Sequence, residues 1–113
     1  MDTVWKILST AQAVHLLHHK NFDGSEDDKR DGFIHLSTLI QMRGTLDKHF
    51  EGQTGLYAVE LATNALGDAL RWEASRNGDF FPHLFRDFNI DDIVSIRPLN
   101  GSGSNQIFSY KTA

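Results

Sequence analysis

Three short apolar stretches each carry polar side chains at two-residue spacing. Successive strand side chains alternate faces, so in "FIHLS" Phe33, His35 and Ser37 share one side while Ile34, Leu36 and Thr38 take the other. In "LRWEA" the same arithmetic puts Arg71 and Glu73 on one face, with Trp72 opposite. In "FFPHLF", His83 shares its side with Phe81 and Phe85. Imidazoles, a hydroxyl, a guanidinium and a carboxylate framed by large apolar residues are the parts of a ligand pocket, whose walls are mostly apolar and whose few polar groups orient the ligand. Histidine, with an unperturbed pKa of roughly 6.5, suits acid–base work at neutral pH. Each group also has a plain structural reading. His35 can be a core histidine bonded to a backbone carbonyl. Arg71 and Glu73 can form an exposed ion pair worth at most about 1 kcal/mol, and His83 can simply close a loop after Pro82.

A second group of histidines lies in "HLLHH". His15 and His19 have the i, i+4 spacing of some zinc helices, with His18 between them. The glutamate that a zinc-peptidase helix places beside its first histidine is missing, and the three rings fall opposite the apolar stripe. They are read as a solvated face, and no metal is predicted. The pairs Asp27-Asp28 and Asp91-Asp92 are read as solvated turn residues or helix starts. "GSGS" follows no strand-to-helix pattern, so it is not a phosphate loop.

These residues need elements to position them. "TVWKIL" reads as a first strand. "STAQAVHLLHH" reads as a helix, with a Ser9/Gln12 capping box and an apolar face of Ala13, Val14, Leu16 and Leu17. "NFDGSEDDKRDG" reads as a polar loop. After "FIHLS", Leu39, Met42, Leu46 and Phe50 form one stripe of a second helix over about 38–50, with Thr38 and Gln41 repeating the capping spacing. "GLYAVEL" and "DDIVSIRPL" read as strands. "ATNALGDA" is a turn or one short helical turn, and "SRNGD" is a hairpin turn centred on Asn-Gly. Pro82 keeps "FFPHLF" extended. In the tail, "NGSGSN" reads as a flexible segment, and Ile107, Phe108 and Tyr110 as a possible edge strand. Without regular strand–helix alternation, this pattern predicts an α+β domain of mostly antiparallel strands.

The chain of 113 residues fits one domain, with its core over about 4–99 and a tail from 100. A net charge of −4 gives no basic footprint for nucleic acid. With no cysteine, disulfides, thiolate metal sites and a cysteine nucleophile are all excluded. The start "MDTVWKIL" does not read as a signal peptide, and no apolar run reaches membrane-spanning length. The expectation is a cytoplasmic protein with a small-molecule partner.

The fragments "VWKIL", "DGFIHLST", "LYAVEL", "LRWE" and "FFPHLF", in this order, resemble the bacterial DUF952 domain. That resemblance implies an ADP-ribosyltransferase-like fold, with two small mostly antiparallel sheets and two main helices. Proteins grouped with it cleave the nicotinamide glycosidic bond of NAD, or use NAD to remove a phosphate from RNA. It implies His35 and Ser37 as binders of ribose or phosphate, Arg71 as a donor to the pyrophosphate, Glu73 as the charge-stabilising carboxylate and His83 as an orienting group or general acid/base. No cofactor is assigned, and NAD enters as a candidate substrate. The chain departs from the family pattern at Phe85 and Arg86, where members often carry tyrosine and glycine, and at Lys6, where some carry histidine. A non-catalytic nucleotide- or metabolite-binding module, and an interaction protein with structural histidines, stand as alternatives.

Overall fold

Strand β1 (Thr3–Leu8) is covered on both faces, which is why its apolar residues run together instead of alternating. Val4 and Leu8 enter one core cluster with Leu16, Leu61, Leu84 and Phe88, while Trp5 and Ile7 enter another with Met42, Leu46, Leu56 and Ala58. The computed structural model describes residues 2–75, 77–100 and the backbone of Ile107–Phe108. β1 pairs antiparallel with β4 (Tyr57–Ala62), and β4 pairs antiparallel with β8 (Ile93–Asn100). β9 (Ile107–Phe108) adds the edge expected of the tail, completing a four-stranded sheet in the order β1-β4-β8-β9. Tyr110 and the glycine-serine segment lie outside the described residues.

A three-stranded antiparallel sheet carries the candidate chemistry, in the order β3 (Ile34–His35), β6 (Phe80–Leu84) and β5 (Leu70–Ala74). The β5–β6 hairpin closes through Ser75 N–H to Asp79 O at 2.8 Å, with Gly78 at φ +88°, a left-handed conformation that suits glycine. Arg76 of that turn lies outside the described residues. β2 (Asn21–Phe22) and β7 (Phe88–Asn89) make a separate two-stranded ribbon. One bridge joins the two larger sheets. Trp5 N–H donates to Ser37 O at 2.8 Å, and Ser37 N–H to Trp5 O at 2.9 Å.

Helix α1 (Thr10–His19) begins at the expected capping box, with Gln12 N–H to Ser9 Oγ at 3.1 Å and Ser9 N–H to Gln12 Oε1 at 2.9 Å. Its buried stripe is narrower than the sequence suggests. Ala13 and Leu16 are inside, but Val14 and Leu17 are exposed, because only one flank packs on β1 and β2.

Two readings need correction. The polar segment taken as a loop contains β2 and a helix, α2 (Glu26–Asp31), started by a Ser25/Asp28 capping box and ended at Gly32 with φ +86°. Asp28 within it is buried, as is Asp92, so neither is a solvated turn residue; both stand at helix starts, the other reading of these pairs. The second helix, α3 (Met42–His49), starts four residues later than the stripe implied. Thr38 and Gln41 do exchange their two bonds, at 3.0 and 3.1 Å, but these close a turn ahead of the helix. The Gln41 side chain then donates to Phe80 O at 2.7 Å, which leaves Leu39 and Ile40 exposed in that turn. α4 (Thr63–Leu66) and a following 3-10 turn match the short helical turn read from "ATNALGDA".

The architecture is a small α+β domain of antiparallel sheets and few helices. Among the described residues it has a ribbon beyond the two expected sheets, and two short helices, α2 and α4, beside the two main ones, α1 and α3. Among the described residues no helix is long and apolar enough to cross a membrane.

Candidate functional site

Register in the three-stranded sheet decides which side chains meet. His35 lies opposite His83, and His83 opposite Arg71, so the three form one cross-strand row on one face. Glu73 lies on the same face, opposite Phe81. One residue along, Ile34, Leu84 and Leu70 form the matching row on the other face, toward the core. The alternation read from "FIHLS", "LRWEA" and "FFPHLF" therefore separates a polar face from a core face within one sheet.

Aromatic contacts tie the polar face together. The Phe33 ring stacks on His83 at 4.1 Å between centroids and meets His35 at 4.6 Å and Phe85 at 5.2 Å. Arg71 is not a free cation. Its guanidinium carbon lies 4.6 Å over the Phe85 ring, a cation–π contact.

His83 and Glu73 form a carboxylate–histidine pair, with His83 Nδ1 at 2.8 Å from Glu73 Oε1. An ionised carboxylate only accepts, so this bond assigns the proton to Nδ1 and makes Nε2 the acceptor of the neutral ring. Among the described residues Nε2 has no hydrogen-bond partner. That arrangement orients an imidazole for proton transfer.

His35 is engaged differently. Nδ1 is 2.7 Å from Asp28 Oδ1, and Nε2 is 3.0 Å from Asp31 Oδ2, so both ring nitrogens face carboxylates. Asp28 is the centre of this network and is 2% exposed. It also accepts from the His35 backbone N–H at 3.0 Å, from the Ser25 N–H at 2.9 Å and from Lys6 Nζ at 2.9 and 3.1 Å. Lys6 Nζ makes a further bond to His35 O at 3.1 Å, so three acceptors surround an ammonium that has three donors.

Burial pushes the Asp28 carboxyl up, but the His35 hydrogen bond, the Lys6 charge and two backbone N–H groups outweigh it and hold it well below the usual carboxylate range. Burial draws the Lys6 ammonium below its ordinary value against the opposing pull of Asp28. Sequence reasoning missed this pair. Its signal was Lys6 standing between Val4 and Leu8 on one face of a strand buried on both sides.

An open cleft of about 850 Å³ lies where β1, β3, α3 and the β5–β6 hairpin converge. His35, Ser37 and His83 line it; Arg71 and Glu73 do not. Ser37 is buried and its Oγ lies 2.8 Å from Thr45 Oγ1 on α3, so it faces the helix side of the cleft, away from the histidine row. Lys48 and His49 line the same side. His49 is held below its ordinary value by burial and by the neighbouring Lys48 charge.

The remaining sequence landmarks lie elsewhere. Arg86 grips Asp92 through two nitrogens at 2.9 and 3.1 Å and reaches Ala65 O, which fastens α4 to the start of β8. His15, His18 and His19 are exposed on α1, and no group of three or more metal-binding side chains occurs among the described residues.

The chain is 39% identical to protein CC0527 from Caulobacter crescentus in its crystal structure, with a TM-score of 0.83 over 87% of this chain and 86% of that one. The solution structure of the same protein gives 37% identity and a TM-score of 0.81, over 94% and 91% of the two chains. No curated protein matches. The model of a family described as a protein of unknown function, DUF952, matches residues 7–96, and the chain belongs to that family.

Proposed function

We propose that this protein binds a nucleotide in the cleft, NAD being the first candidate, and acts at its nicotinamide glycosidic bond with His83 as the acid–base group. This reading takes the two larger sheets as an ADP-ribosyltransferase-like fold. The observation that carries it is the His83–Glu73 pair, a cleft-lining imidazole whose Nδ1 is held by a carboxylate and whose Nε2 is left to act. In the reaction, the C1′–N bond breaks with its electron pair on the departing nicotinamide. A water oxygen bonds to C1′, and its proton passes to His83 Nε2. Glu73 then serves as the group that holds His83, and Arg71 braces Phe85 without touching the pyrophosphate.

General acid–base groups contribute about 10²–10⁴-fold. His83→Ala is therefore expected to slow nicotinamide release from NAD by that factor, with NAD still bound in calorimetric titration. Glu73→Gln is expected to give a smaller loss. Release at the wild-type rate by a folded His83→Ala protein would remove His83 from the chemistry.

One observation favours a second reading, a binding module without turnover. Both ring nitrogens of His35 are taken by Asp28 and Asp31, which leaves neither free for a ligand. Saturable NAD binding with no nicotinamide released over long incubation would select it.

A further inference from the structure

Gly44 sits inside α3 with ordinary helical backbone, and no residue of the fold requires it to be glycine. A Cβ placed on it would meet no heavy atom within 4 Å, and its φ is not positive. Glycine is among the poorest residues for a helix interior, whereas alanine is the best. Packing within the chain therefore favours alanine here. The bare backbone lies on the cleft wall beside Thr45, and Trp5 of β1 lines the same cleft.

The hydroxyls next to it bond to each other. Thr45 Oγ1 donates to Gln41 O at 3.3 Å, and Ser37 Oγ lies 2.8 Å from Thr45 Oγ1. Either hydroxyl can donate in that contact: Ser37 to Thr45 leaves only lone pairs for a ligand, whereas Thr45 to Ser37 leaves the serine O–H free. The pair can therefore meet a donor or an acceptor on a ligand edge. The exposed Ile40 lines the rim of the same cleft and adds an apolar contact.

We infer that the bare α3 backbone at Gly44 is the contact surface for a planar heteroaromatic ring, with a polar atom on the ring's edge bonded by the Ser37–Thr45 hydroxyl pair. Gly44 is then a specificity-determining residue, since any side chain there fills the space the ring occupies. The inference rests on the nucleotide reading and names the part of the nucleotide that the helix side of the cleft receives.

Gly44→Ala tests it, because stability and binding should move in opposite directions. Tm is expected to rise by roughly 3–6 °C from the gain in helix propensity. NAD affinity in calorimetric titration is expected to fall at least about tenfold, which corresponds to about 1.4 kcal/mol. A raised Tm with NAD affinity within about twofold of wild type overturns the Gly44 inference and leaves the nucleotide reading standing. A lowered Tm assigns the glycine to the fold and overturns the inference as well. Absence of NAD binding to the wild-type protein overturns the nucleotide reading and this inference together.

Discussion

Asp28→Asn is expected to remove about 3–5 kcal/mol of folding stability, a fall in Tm of roughly 12–20 °C for a domain of this size. Asparagine has one oxygen where Asp28 uses two, Oδ2 for the Ser25 N–H and Oδ1 for the His35 N–H, so one of these backbone bonds is lost. The larger loss is the negative charge beside Lys6, a side chain only 9% exposed. A buried ammonium left without its partner is among the few single defects costing this much. Adding Lys6→Met should recover the part of the loss that comes from the unpaired charge, since removing both charges also removes the desolvation cost that the pair offsets. Thermal melts of the wild type, both single variants and the double variant would measure the coupling directly. A cost for Asp28→Asn below about 1 kcal/mol, with no rescue by Lys6→Met, would show that the pair does not hold α2 and β3 to β1.

The same carboxylate sets an acid limit. Its folded-state pKa is depressed, so its contribution is fully present above the unfolded-chain value of roughly 3.9 and is lost as pH falls through the folded value. The Tm gap between wild type and Asp28→Asn should therefore narrow as pH drops from about 5 to about 2. A gap that stays constant over that window would assign the effect to packing and not to charge.

Leu84→Ala is expected to cost about 2–5 kcal/mol. Leu84 is fully buried and stands in register with both Ile34 and Leu70, so one side chain braces all three strands of the site-bearing sheet from the core side. Its neighbour His83 projects from the opposite face of the same strand. Urea unfolding should show a lower midpoint with an unchanged slope, since the extent of the folded core is the same. A loss under about 1 kcal/mol would mean that the histidine row is held by its own aromatic contacts and not by the core beneath it.

The strand-borne part of the site was legible because strand alternation is local. Two-residue spacing alone separates His35 from Ile34 and Leu36, Arg71 and Glu73 from Trp72, and His83 from Leu84. The hairpin at Asn77-Gly78 was legible for the same reason, and it sets the β5–β6 register that brings Glu73 to His83.

What could not be read depended on distant partners. Asp28 lies in an acidic run whose composition points to solvent, and its burial is decided by Lys6 and His35 from other strands. The Ser25/Asp28 capping box was hidden because aspartate replaces the usual glutamate or glutamine. Ser37 followed the strand pattern in sequence, but the chain leaves β3 after His35 to bridge β1, which turns its hydroxyl to α3. The start of α3 was misplaced because Thr38 and Gln41 satisfy each other in a turn, and Gln41 then bonds to Phe80, a partner that no local pattern reveals.

The position of β1 bears on how the chain reaches this state. It comes first among the described strands, yet Thr3 pairs with Ala62 and Leu8 with Tyr57. The β3 residues likewise wait for Ile34 to meet Leu84 and His35 to meet His83. Closing such long loops costs entropy before any contact repays it, and folds dominated by distant strand pairs fold in roughly milliseconds to seconds. During synthesis, a nascent chain that ends before β6 holds the whole β1–β4 pair but only one strand of each pair in the three-stranded sheet, and it lacks His83. The histidine row therefore forms only after β6 has been made, and a product truncated before β6 lacks the His83–Glu73 pair.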